Sequence, residues 1–285
     1  MPGIALVCDS TADLTAADQQ SLGVAVVPLN VHFGSEVVRD HVDISPGQFL
    51  DRLTSTTELP RTSQPSPAAF AAAFQDAAAD HDAILVLALS SRLSGTYQSA
   101  VLGAQTADLP IPIRVVDSLS ASIGLGLQVR RARELIDRGR ELDEIATALE
   151  GERGHYHLIF FADTLEYLQR GGRIGKASQL LGSLLKIKPL LIVVDGEVEA
   201  YERTRSRSRA IEGLIEYARQ FPAIVRVAIL FDGTSPADVE TITQGLADRV
   251  PESAIIAEQY GPIIATHVGP GALGLCVFAE PGKTG

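Results

Sequence analysis

Tryptophan is absent from the sequence, methionine occurs once, cysteine twice, and aromatic residues make up only 5% of the 285 positions. The two cysteines, Cys8 and Cys276, each sit inside an apolar run, which argues against a disulfide scaffold or a thiolate metal site. Basic residues are also scarce: 24 Lys and Arg against 35 Asp and Glu leave a net charge of −11. Phosphate backbones and anionic bilayers repel such a chain, which argues against generic nucleic-acid or membrane binding. Long apolar runs are missing. None is longer than Ala83 to Leu89, which falls far short of the roughly 18 residues that span a bilayer. No basic and apolar leader opens the chain, because Met1-Pro2-Gly3 runs straight into the strand-like Ile4-Ala5-Leu6-Val7. What is present, 46% hydrophobic and 21% charged residues, is the composition of a folded globular protein. The expected setting is the reduced cytoplasm, and the length suggests about two domains.

The N-terminal half alternates short apolar runs with amphipathic segments, as α/β domains do. Strands are expected at Ile4–Cys8, Val24–Val31, Ala83–Leu89 and Ile113–Val116; the last two, the first of them continuously apolar and the second broken only by Arg114, are expected to be covered on both faces. Ser45-Pro46 and Ser66-Pro67 each place a capping hydroxyl before a proline at the first helical position. Further helices are expected at about Tyr97–Thr106, Leu125–Arg138 and Leu142–Leu149. Beyond the polar stretch Glu150–Gly154 the pattern changes. Ile187–Val194, the tight turn Asp195-Gly196 and Glu197–Glu202 read as a hairpin. Strands at Arg226–Phe231, Ala254–Ala257 and Leu273–Ala279 follow, with a helix opening at Ser235-Pro236. The reading is two α/β domains, 1–155 with a mainly parallel sheet and 156–285 with a mixed or antiparallel sheet. Pro281–Gly285 looks like a loose tail.

Four clusters could carry function. Ser90 to Tyr97 follows a buried strand and enters a helix, so its hydroxyls and free N–H groups suit either a helix cap or an anion. Thr62-Ser63-Gln64-Pro65-Ser66 also precedes a helix, but Ser66 already supplies the cap, which leaves Thr62 and Ser63 without a structural task. Arg170-Gly171-Gly172-Arg173 closes a short helix begun near Asp163, and its bland reading is a C-cap with cations near the dipole's negative end. His267-Val268-Gly269-Pro270-Gly271 reads as a turn with room for close backbone approach.

Other motifs fail on inspection. Arg170 stands where a phosphate loop ending at Gly175-Lys176 needs its first glycine. Gly124-Leu125-Gly126 meets Val129 where a third glycine belongs. Ser94 lacks the flanking glycines of a nucleophile elbow. Ser183-Leu184-Leu185-Lys186 and Lys283-Thr284-Gly285 match penicillin-binding motifs by chance. His155 and His157 lack a third zinc ligand. Asp9, Asp13, Asp40, Asp43 and Asp117 sit at strand ends, where magnesium sites can form, though caps and turns are the commoner use.

Taken together, Val7 to Leu14, Thr62 to Ser66, Ser90 to Ala100, Asp163 to Leu168 into Arg170–Arg173, and His267 to Gly274 resemble the DegV family of bacterial fatty-acid-binding proteins. They run in family order over nearly the whole chain. Val268 departs from the pattern where a hydroxyl residue is expected, and the sparse aromatics leave aliphatic side chains to line any tunnel. The resemblance implies two α/β domains holding one long-chain fatty acid, such as palmitate or oleate, between them. It implies a carrier in lipid transport or fatty acid metabolism, with no chemistry or cofactor of its own. A separate ATP-dependent fatty acid kinase subunit would phosphorylate the carboxylate. The matched positions suggest Thr62 and Ser94 as carboxylate donors, with Ser63, Gly95, Arg170 and His267 as the surrounding polar shell. Arg203, Arg205, Arg207 and Arg209 recur every second residue, and some of them, Arg205 and Arg207 above all, together with Arg173, are expected to face the kinase. The competing readings are a serine hydrolase or acyltransferase using Ser94 with His267 as base, and a phosphotransfer subunit.

Overall fold

The computed structural model describes residues 3–56, 58–181 and 187–280. The Ser183–Lys186 motif, the Lys283–Gly285 motif and the expected tail at 281–285 fall outside them. The chain opens with β1 (Gly3–Asp9), a 3-10 turn at Ser10–Ala12, α1 (Ala16–Leu22) and β2 (Val24–Val27). The single strand expected over Val24–Val31 is in fact two. Pro28 cannot donate to a ladder, and after it β3 (Asn30–Phe33) leaves for a different sheet with β4 (Glu36–Arg39). Next come α2 (Pro46–Ser55), β5 (Arg61–Ser63) and α3 (Pro67–Ala78). Ser45 and Ser66 accept from the N–H groups of Gln48 and Ala69 and so start α2 and α3. β6 (His81–Ala88), α4 (Thr96–Thr106), β7 (Ile113–Asp117), α5 (Ile123–Asp137) and α6 (Leu142–Glu152) complete this half.

Strands β2-β1-β6-β7 form a parallel sheet, and β4-β3-β5 a small antiparallel one. The alternation of strand side chains sorts the core. Leu6, Cys8, Leu85 and Leu87 face α5 and α6 through Leu125, Val129, Ile145 and Leu149. Ala5, Val7, Ile84 and Val86 face α3 and α4 through Phe70, Phe74 and Ala100. Both faces of β6 are therefore buried, as its unbroken apolar run requires.

The second half begins with β8 (Tyr156–Phe161) and α7 (Glu166–Arg170). It continues through β9 (Lys188–Val194), β10 (Glu197–Thr204), α8 (Arg207–Arg219), β11 (Ile224–Phe231) and α9 (Pro236–Leu246). It ends with β12 (Ile255–Gln259), α10 (Pro262–Val268) and β13 (Leu273–Ala279). The sheet order is β10-β9-β8-β13-β11-β12, antiparallel except for β11 with β12. One face packs Ile159, Phe161, Val227, Ile229 and Leu275 against α8 and α9. The opposite face turns Leu158, Phe160, Leu191 and Leu230 toward the N-terminal half, onto Leu29, Leu89, Ala121 and Ile123. That seam is where the two halves leave space.

Asp195 and Gly196 both have positive φ, 48° and 82°, as the tight turn between β9 and β10 demands. Gly196 also touches the N-terminal half. Its carbonyl accepts from Ser90 Oγ at 2.9 Å, and an added Cβ would lie 2.3 Å from that oxygen. Gly139 has a comparable φ of 73° with nothing nearby. Gly139→Ala should cost about 1 kcal/mol for the left-handed backbone, and Gly196→Ala clearly more. Urea melts of the two variants check this, and equal losses would show that the Ser90 contact is dispensable.

Candidate functional site

A cavity of about 390 Å³ lies in the seam, within the range of small-molecule pockets. The C-terminal sheet contributes Leu158, Phe160, Val193, Val198 and Leu230, and the N-terminal half contributes Leu29, Leu89, Leu93 and Ala121. Ile263, Ile264, His267 and Val268 come from α10. The cavity opens beyond the carboxyl end of β6, where the order β2-β1-β6-β7 reverses direction, as ligand sites in open α/β sheets do.

Its polar groups are gathered together. Thr62 and Ser63 reach the cavity from β5, which pairs with β3 at Val31 and Asn30. Thr62 Oγ1 lies 2.9 Å from His267 Nε2. Burial, aided by the charge of Arg173, pushes His267 down to about 4, so the ring is neutral at neutral pH. Its Nδ1 is sealed from solvent with no hydrogen-bond partner among the described residues. It sits against Gly171, where a Cβ would come within 2.3 Å. A proton on Nδ1 would be a buried donor without an acceptor, so the favoured tautomer carries it on Nε2 and donates to Thr62. The Thr62 hydroxyl is then free to donate into the cavity.

Ser94 stands at the same end. Its Oγ accepts from the Thr96 N–H at 3.3 Å and lies 2.9 Å from Thr96 Oγ1, serving the start of α4, whose N-cap Gly95 has no side chain to do so. If the Thr96 hydroxyl donates, the Ser94 hydroxyl is also free. Gly95 admits the Gln64 side chain, whose Oε1 would be 2.3 Å from an added Cβ. Ser63 is bonded to His32 Nε2 at 2.8 Å.

The arginines are distributed differently from the expectation. Arg173 does not point outward to a partner. It lines the cavity, half-buried, with Nε donating to the Leu93 carbonyl at 3.0 Å and Nη1 to Gly171 at 2.7 Å. Among the described lining residues it alone carries a fixed charge. Arg170 is not part of this polar shell: one turn away in register, it is exposed and paired with Glu166 at 2.9 Å. Arg207 is drawn inward, to Asp238 at 2.7 Å and the Gly271 carbonyl at 2.6 Å. Arg203 and Arg205 are exposed, and Arg209 is held by Glu212 at 2.5 Å. His267, read from its glycine-rich neighbourhood as part of a turn, belongs to the last turn of α10. The acidic strand ends are occupied by caps. Asp9 accepts from Thr11 and Leu89, and Asp117 from Ser91 and Leu119.

A family model described as "Uncharacterised protein, DegV family" matches residues 3–280. A DegV domain-containing protein of Deinococcus radiodurans is 39% identical, the match covering 96% of this chain and 98% of that one. A protein of Thermotoga maritima named as a fatty acid-binding protein is 33% identical over 95% of this chain and 96% of its own. A solved structure from Thermus thermophilus, described as fatty acid binding of a DegV family protein, superposes with a TM-score of 0.89 at 38% identity. That match covers 97% of this chain and 99% of that one.

A histidine held below its unfolded value stabilises the fold fully above about pH 6.5, and that contribution is lost as pH falls toward 4. Burial raises Asp9 to about 6, and Asp40 and Glu258 to about 7. These carboxylates act with the opposite sign in the overlapping window. The contrast with His267→Asn therefore isolates the ring. Between pH 6.5 and 4 the melting temperature of the parent should fall more steeply than that of the variant. Parallel curves would mean the ring protonates freely.

Proposed function

The chain belongs to the DegV family, and from that premise we propose that it binds one long-chain fatty acid, such as palmitate or oleate, in the seam cavity. The observation that carries this reading is the cavity's division of labour. Aliphatic and aromatic side chains from both halves line most of it, and one end gathers Thr62, Ser94, His267 and Arg173. A buried carboxylate must be hydrogen-bonded or it protonates. Here two hydroxyls and a guanidinium stand ready to receive it. The alkyl chain supplies the affinity, on the order of 10 kcal/mol gross for a dozen buried methylenes before binding entropy is subtracted. The units 1–155 and 156–285 act as the two walls.

In this reading the protein is a carrier. Its role in lipid transport or fatty acid metabolism is to present the carboxylate to a separate fatty acid kinase subunit in the cytoplasm. Exposed Arg205, with Arg203 beside it, faces that subunit. The hydrolase alternative is weakened by the hydrogen bonding. His267 Nε2 is engaged by Thr62 and not by Ser94, and among the described residues no carboxylate orients Nδ1.

Organic extraction of freshly purified protein followed by mass spectrometry should release a long-chain fatty acid. Thr62→Ala and Ser94→Ala should each weaken palmitate binding by about 1–3 kcal/mol without loss of fold. Polar metabolites alone in the extract, with no palmitate or oleate binding on titration, would overturn the reading. For the kinase step, Arg205→Glu should leave palmitate affinity intact and slow acyl-phosphate formation by a candidate kinase, an effect that fades with salt. An unchanged rate would return Arg205 to the solvated surface.

A further inference from the structure

Three non-glycine residues with positive φ lie together at one point of the seam. Asp13, His41 and Ser122 have φ of 50°, 59° and 53°, conformations that persist only where surrounding contacts impose them. Asp13 joins them. It is buried, its Oδ2 accepts from Ser122 Oγ at 2.5 Å, and its Oδ1 lies 3.5 Å from His41 Nε2. The same Oδ1 accepts from the N–H of Gly261 at 2.8 Å, across 248 residues of sequence. Beside His41, buried Asp40 accepts from the N–H of Ile263 at 3.4 Å.

Gly261 is the N-cap of α10 and offers no side chain to its own helix. Carboxylates of the other half therefore receive the N–H groups at its entry. Only glycine fits there, because a Cβ would lie 2.2 Å from His41 Nε2 and 3.0 Å from Asp13 Oδ1. At its far end α10 carries His267, bonded to Thr62, and between the two ends it presents Ile263 and Ile264 to the cavity. Ser122 lines the cavity as well, yet its hydroxyl is turned away to Asp13. The N-terminal half thus grips α10 at both ends, and the wall of the cavity lies between the grips.

We propose that Asp13, assisted by Asp40, is a positioning residue of the ligand site: it seats the start of α10 and so places His267 against Thr62. The inference rests on the fatty-acid reading above. Asp13 touches no ligand in this scheme. It acts through the helix, and its effect should depend on the bond at the helix's other end.

A double-mutant cycle on palmitate affinity tests this, using Asp13→Asn, Thr62→Ala and the pair, with folding of each checked by thermal melting. Asparagine keeps the shape but replaces one acceptor oxygen with a donor. Asp13→Asn should weaken binding by about tenfold in the parent background, and by about twofold or less once Thr62 is alanine. Unchanged affinity in Asp13→Asn, or equal factors in both backgrounds, overturns the proposal. If Asp13→Asn does not fold, the same cycle with Asp40→Asn decides by the same criterion. A parent protein that binds no palmitate removes the fatty-acid reading itself, whereas a binding parent with no coupling removes only this inference.

Discussion

The hydrogen bond between Thr62 and His267 joins residues 205 apart in sequence, and the rest of the site is arranged around it. To make it, a short edge strand of the N-terminal half must meet a helix contributed by the C-terminal half. The small sheet β4-β3-β5 holds Thr62 in place, and Gly171 allows the ring to lie flush against the α7 turn. The ring itself is neutral at neutral pH and donates from Nε2 to the Thr62 hydroxyl. Burial and the Arg173 charge impose that neutrality.

The larger architecture follows from one sheet face. The C-terminal sheet covers its outer side with α8 and α9, and its inner side is only partly covered by the short helices α7 and α10. Leu158, Phe160 and Leu230 must therefore be buried against the N-terminal half. The two halves do not fill the whole of their contact. The unfilled part is an apolar cavity whose walls belong to different halves, so ligand burial and the association of the halves are linked.

Much of this was legible in the sequence. An unbroken apolar run marked β6, serine-proline pairs marked α2 and α3, and Asp195-Gly196 marked the hairpin. These are local signals, each decided by a few neighbouring side chains. β7, interrupted by Arg114, is a partly exposed sheet edge rather than a strand covered on both faces. What escaped was decided at a distance. β4 and β5 are four and three residues long and gain their identity only from pairing with β3. α10 was hidden because its entry is capped by Asp13 and Asp40 from the opposite half, not by a residue beside it. Arg170 and Arg173 look alike in sequence, and only the turn through Gly171-Gly172 sends one to solvent and the other into the cavity. Among Arg203–Arg209 the sequence singled out Arg205 and Arg207 alike as partner-facing, whereas Arg207 is drawn inward by Asp238 and the Gly271 carbonyl.

The central claim is that the carboxylate lies at the Thr62, Ser94 and Arg173 end of the seam cavity, with the alkyl chain running between the two halves. A crystal structure of the palmitate complex tests it most directly. The account predicts the carboxylate oxygens within hydrogen-bonding distance of Thr62 Oγ1 and the Arg173 guanidinium. The chain should lie between Phe160 on one wall and Ile263 on the other. A carboxylate at the opposite end, or a chain bound outside the seam, would contradict it.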